Sequence, residues 1–147
     1  MPDSPSADSS SAAALAPSRS SNPLRRVASW TAVVLWAGVI FRLSALPGSQ
    51  IPGRFGELGH LGEYVVLGCL LYLALRTDLD RGRALALVII MASAYAVTDE
   101  FHQRFVEMRT PDVTDWGLDT LGAACGALGA LALGALAVRR RSRSTDA

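Results

Sequence analysis

The sequence predicts an all-α fold, an integral membrane bundle of four transmembrane helices with both termini in the cytoplasm. Three observations carry that prediction. Half of the 147 residues are hydrophobic and the mean hydropathy is positive, although residues 1–26 are almost wholly Ser, Pro, Ala and charge. The apolar residues therefore crowd into the remainder of the chain, in four runs that read as spans of a hydrocarbon layer of ~30 Å, which needs ~20 residues of helix. All 14 basic residues are Arg, gathered at the ends of these runs and not along one face, the distribution expected of membrane topology.

Taken in order, residues 1–26 form a low-complexity tail expected to be disordered. The tail lacks the succession of basic region, apolar stretch and small-residue cleavage site that marks a leader, so the run after it is read as an uncleaved span. That first span covers Val27 to about Leu46, with Trp30 and Trp36 inside it and Arg42 near enough to its end to snorkel. A Pro/Gly-rich connection, 47–56, leads to a second span, about Leu58 to Leu75.

The third span begins at Ala84. Its apolar run stops at Val97 after 14 residues, only ~21 Å of helix, so spanning requires the helix to continue through Asp99 and Glu100 to about Gln103. The fourth runs from Trp116 to Val138 and carries Gly122-x-x-x-Gly126, a spacing that lets helices approach closely. A basic tail, 139–147, comes last; the membrane domain is 27–138.

Orientation follows from counting. Arg19, Arg25, Arg26, Arg76, Arg81, Arg83, Arg139, Arg140, Arg141 and Arg143 fall on one side, and Arg42, Arg54, Arg104 and Arg109 on the other. Ten against four places both termini inside by the positive-inside rule and predicts a multi-pass protein of the plasma membrane. A net charge of +1 gives no reason to expect nucleic acid as a partner; the lipid bilayer is the expected one. Cys69 and Cys125 lie in apolar runs without metal-ligand spacing and read as small buried hydrophobes.

Asp99-Glu100-Phe101-His102-Gln103 is the most informative stretch. Ionisable groups within a span cost on the order of 3 kcal/mol each at the helix centre, less near an edge, and are seldom idle. Counting ~20 residues outward from Leu75, Ala84 and Val138 brings His60 with Glu63, then Asp99, then Asp119 to one level in the outer leaflet. His60, Glu63 and Tyr64 share a helix face by their i, i+3, i+4 spacing, as do Asp99, His102 and Gln103; Asp115, Asp119 and Gly122 make a third stripe. Facing one another, these stripes predict a polar pocket open to the outside. Glu100 lies ~100° around the helix from Asp99, so both cannot address one atom unless the helix end unwinds.

Each group also has a structural reading. His60 with Glu63 can be a hydrogen-bonded pair between helices, and Asp115 and Asp119 can orient the fourth helix from its N-terminus. Arg109 has a fork suited to phosphate or carboxylate, or pairs with Asp112 or Asp115. A metal site from His60, His102 and carboxylates matches no zinc spacing, and no metal or cofactor is expected. For nucleophilic catalysis Ser44, Thr110 and Thr114 lie near the outer face, with no GxSxG.

The strings His60-Leu-Gly-Glu63-Tyr64-Val-Val-Leu67-Gly68 and Asp99-Glu100-Phe-His-Gln103-Arg-Phe105, then Arg109-Thr110 and Asp115-Trp-Gly-Leu-Asp119-Thr-Leu-Gly122, together with Ser44 before a proline, resemble the VanZ-like family over about residues 30 to 135. Two departures stand out. Glu57 occupies the place of a family Lys, and Glu107-Met108 that of the Pro-Gly before the motif Arg.

The resemblance implies a small multi-span membrane protein whose context is the cell envelope and glycopeptide (teicoplanin) resistance. The expected function is recognition of an envelope component by a pocket of His60, Glu63, Tyr64, Asp99, Glu100, Gln103, Arg109, Asp115 and Asp119. The alternative is an intramembrane hydrolase or transferase acting on a lipid-linked envelope precursor or phospholipid. In it His60 or His102 would be the acid or base, with a carboxylate partner such as Glu100, and Arg109 the phosphate clamp. A purely structural role for the polar residues is the third reading.

Overall fold

The computed structural model describes residues 22–50 and 55–145 and, of Phe55 and Glu57, the backbone alone. Most of the expected N-terminal tail, Arg54, and the side chain at Glu57 lie outside the described residues. The described chain is helical throughout its spans: α1 (Pro23–Ser44), α2 (Phe55–Leu75), α3 (Arg81–Gln103) and α4 (Val113–Thr145). All four are long and apolar enough to cross a membrane.

Local chemistry sets the helix starts. Asn22 accepts a hydrogen bond from the Leu24 N–H and Pro23 opens the first turn, so α1 begins four residues before the apolar run. Asp80 caps α3 by accepting from the Arg83 N–H at 3.0 Å, a bond that holds its carboxyl below the usual range. Asp112 does the same for α4 through the Thr114 N–H, with the same downward effect. At its other end α4 runs on as helix through the basic segment expected as a tail.

In lipid, helices gain little from burying apolar surface against each other, so close backbone contact and interhelical hydrogen bonds hold the bundle. α2 packs most extensively on α4, and glycines make that possible. A Cβ at Gly126 would fall on the Val65 carbonyl, one at Gly68 on the Ala123 carbonyl, and one at Gly122 would lie 2.6 Å from the Leu61 carbonyl. The expected Gly122/Gly126 pair is therefore half of the crossing, and Gly68 on the facing helix supplies the rest. Ala92, Ala96, Ala123 and Ala127 line the buried seam with Ile40, Leu67 and Val88, while Val34, Leu35, Ile90 and Leu133 point outward.

Two hydrogen bonds donated by aromatic side chains help dock α1. The Trp36 indole N–H donates to the Glu63 carbonyl at 2.9 Å, and the Tyr95 hydroxyl donates to the Ala37 carbonyl at 2.7 Å. At one end of the bundle Arg26 pairs with Asp78 in the α2–α3 turn at 3.2 Å. At the other, the Gly48 N–H donates to the Glu107 carbonyl at 3.0 Å and joins the two remaining connections. There Met108 takes φ 57°, the left-handed region that disfavours a side chain. The resemblance places Gly at this position.

Candidate functional site

The candidate site lies at the end of the bundle where α1 and α3 finish and α2 and α4 begin. Its inner wall is a buried polar cluster contributed by all four helices. Ser44 from α1, His60 from α2, Asp99 and Gln103 from α3, and Asp119 from α4 are each at most 6% exposed. The helical spacing of Asp99 and Gln103 puts both on the inner face of α3. The close approach of Gly122 on α4 to Leu61 on α2 brings the two helices near enough for His60 and Asp119 to meet.

Gln103 sits at the centre. Its amide nitrogen donates to Ser44 Oγ at 3.1 Å and to Asp99 Oδ2 at 3.2 Å, and lies 3.4 Å from His60 Nε2. An amide NH2 has two hydrogens for these three neighbours, and the longest contact, to His60, is the one it satisfies least. On the other side of the imidazole, Nδ1 lies 3.3 Å from Asp119 Oδ1, an ion-pair distance without hydrogen-bond alignment. Asp99 Oδ1 and both Asp119 oxygens are buried with no hydrogen-bond partner among the described residues. Buried polar groups normally have one.

From this cluster a cavity of about 150 Å³ opens toward the connections, its wall formed by Ser44, Leu46, Gly59, His60, Glu63 and Arg109. Arg109 stands at the rim, half-buried, its Nε 3.5 Å from the Leu46 carbonyl. The cavity thus brings a guanidinium, an imidazole, the Glu63 carboxyl and the Ser44 hydroxyl to one space, with Asp99 and Asp119 buried behind His60, an arrangement able to bind a small group carrying both donors and acceptors.

Other candidates go elsewhere. Glu100 turns away from the cavity, as its position around α3 requires, and accepts from the Asp112 N–H at 2.8 Å. It borders a separate, largely apolar groove of about 250 Å³ with Val97, Pro111 and Trp116. His102 faces α1, stacked on Phe41 with ring centroids 4.3 Å apart. Tyr64 is wholly buried beneath the cluster, its ring 6.2 Å from Tyr95. Asp115 is half-buried in the first turn of α4 and does not line the cavity.

Sequence reasoning misses Trp36 and Tyr95 as the anchors of α1, which carries Ser44. Their aromatic character suggests interface or core, and nothing in their spacing points to a carbonyl on another helix.

A family model described as VanZ/LLP1 matches residues 4–134, nearly the whole of the described bundle. No curated protein and no solved structure matches the chain.

Proposed function

The chain belongs to the VanZ/LLP1 family and is a multi-pass membrane protein, and from that premise we propose that it recognises a component of the cell envelope through the cavity between Arg109 and the His60–Asp99–Asp119 cluster. In this reading the cavity faces outward, both termini are cytoplasmic, and the membrane is the plasma membrane. Arg distribution supports that orientation. The contribution to the cell is to wall physiology or glycopeptide (teicoplanin) tolerance.

One observation carries the proposal. A guanidinium from the α3–α4 connection, an imidazole and a carboxylate from α2, and a hydroxyl from α1 line a single cavity at the bundle end that the Arg distribution favours as the outside. Arg109 supplies the fork for a phosphate or carboxylate, and Glu63 and the buried cluster supply acceptors for hydroxyl or amide groups. Binding of a fluorescent lipid-linked wall precursor to protein in nanodiscs tests it. Saturable binding that Arg109→Ala weakens about tenfold or more supports the reading. Binding unchanged in Arg109→Ala and in Glu63→Gln contradicts it.

The enzyme reading, a hydrolase or transferase on a lipid-linked precursor or phospholipid, draws on the same cluster. Buried titratable groups without hydrogen-bond partners are a common mark of reactive sites. Turnover of the labelled precursor by the purified protein separates it from binding alone.

A further inference from the structure

We infer that His60, Asp99 and Asp119 form a binding site for one divalent transition-metal cation of the zinc class. One nitrogen or oxygen atom from each of the three lies within 4.8 Å of the others. Ligand atoms around one tetrahedral zinc ion at bond lengths of ~2.0–2.2 Å stand ~3.3–3.6 Å apart, so side-chain shifts on the order of 1 Å close the three groups on an ion. The three residues come from three different helices, which fixes their relative placement by bundle packing and not by a local loop.

The second observation is the state of the carboxylates themselves. Asp119 is 0% exposed and Asp99 2%, yet both Asp119 oxygens and Asp99 Oδ1 have no hydrogen-bond partner among the described residues. Arg109, which lines the adjoining cavity, is directed to the Leu46 carbonyl. Two neighbouring carboxylates against one imidazole leave a net negative site that a doubly charged cation neutralises while occupying the unused lone pairs.

The donor set selects the metal. One imidazole nitrogen with two carboxylate oxygens suits Zn2+, with Mn2+ next. Mg2+ and Ca2+ prefer six or more oxygen ligands and have too few here. Three protein ligands leave a fourth position open, and because His60 also lines the cavity, that position is reached from it. Gln103, against both His60 and Asp99, is placed to orient two of the ligands. This inference does not depend on what the cavity recognises.

The test uses the full chain in nanodiscs, stripped with a chelator and then titrated separately with Zn2+, Mn2+, Co2+ and Mg2+. The expected result is about one Zn2+ per chain, with a melting temperature that rises with Zn2+ and falls on chelation. Asp119→Asn and His60→Ala should lower the affinity on the order of 100-fold, while Glu107→Gln in the exposed connection leaves it unchanged. Should the variants fail to fold, X-ray absorption of the Co2+-loaded native protein decides, with a nitrogen-and-oxygen shell at ~2.0–2.2 Å expected. No stoichiometric Zn2+, equal affinity for Mg2+, or a fully hydrated ion in the absorption spectrum overturns the inference.

Discussion

His60 and Asp119, on α2 and α4, meet at 3.3 Å in the least exposed part of the bundle, where the two side chains are 7% and 0% accessible. The close α2–α4 crossing, with Gly122 against Leu61 next to this pair, is what allows it to form. Removing one member should therefore be worse than changing both. We expect His60→Ala to destabilise by about 3–5 kcal/mol, because it leaves a buried carboxylate uncompensated, and the double variant His60→Ala/Asp119→Asn to recover part of that loss. Chemical unfolding in detergent, analysed as a double-mutant cycle, measures the coupling.

The crossing itself gives a contrast between glycines on one helix. Gly126→Val places atoms on the Val65 carbonyl and should abolish folding or cost well over 2 kcal/mol. Gly129→Ala and Gly134→Ala meet nothing within 4 Å and should be neutral or slightly stabilising. The yield of monodisperse protein on size exclusion distinguishes the two outcomes.

Met108 holds a left-handed backbone conformation in the α3–α4 connection, while its side chain is 74% exposed. Met108→Gly should relieve strain at little loss of packing and stabilise by about 1 kcal/mol, offset in part by the larger entropy of an unfolded glycine. A rise in melting temperature is the expected reading.

Tyr95→Phe and Trp36→Phe each delete one hydrogen bond between α1 and the rest of the bundle. Each should cost about 1 kcal/mol, and both should weaken binding at the cavity through displacement of Ser44. Glu100→Gln, by contrast, keeps an acceptor for the Asp112 N–H and should leave both stability and cavity binding close to native. Parallel melting curves and titrations with the fluorescent precursor separate these cases.

How far the sequence leads depends on the kind of signal. The four spans are legible because a run such as Leu58–Leu75 has one reading in a chain this apolar, and because Asp99 and Glu100 must be inside the third helix if it is to cross. Depth counting also aligns His60, Asp99 and Asp119, since rise per residue is the same in every helix. Rotation about each axis is less legible. His102 shares a stripe with Asp99, yet the docking of α1 gives it Phe41 as its neighbour. Glu100, which the helix period does separate from Asp99, finds its partner in the Asp112 backbone, a contact no sequence pattern announces. Gly68 is hidden for a similar reason. Its role exists only opposite Ala123, and pair relations between distant helices leave no trace in one chain.

Recognition of an envelope component requires a cavity whose mouth opens to the outside of the cell, and the accessibility of its rim tests this most directly. With Cys69 and Cys125 replaced by Ala, Ser49→Cys sits exposed in the connection that follows Leu46, a residue of the cavity wall. Labelling of intact cells by a membrane-impermeant maleimide is the predicted result. Labelling only after the membrane is permeabilised would place the cavity on the cytoplasmic side and contradict the proposed function.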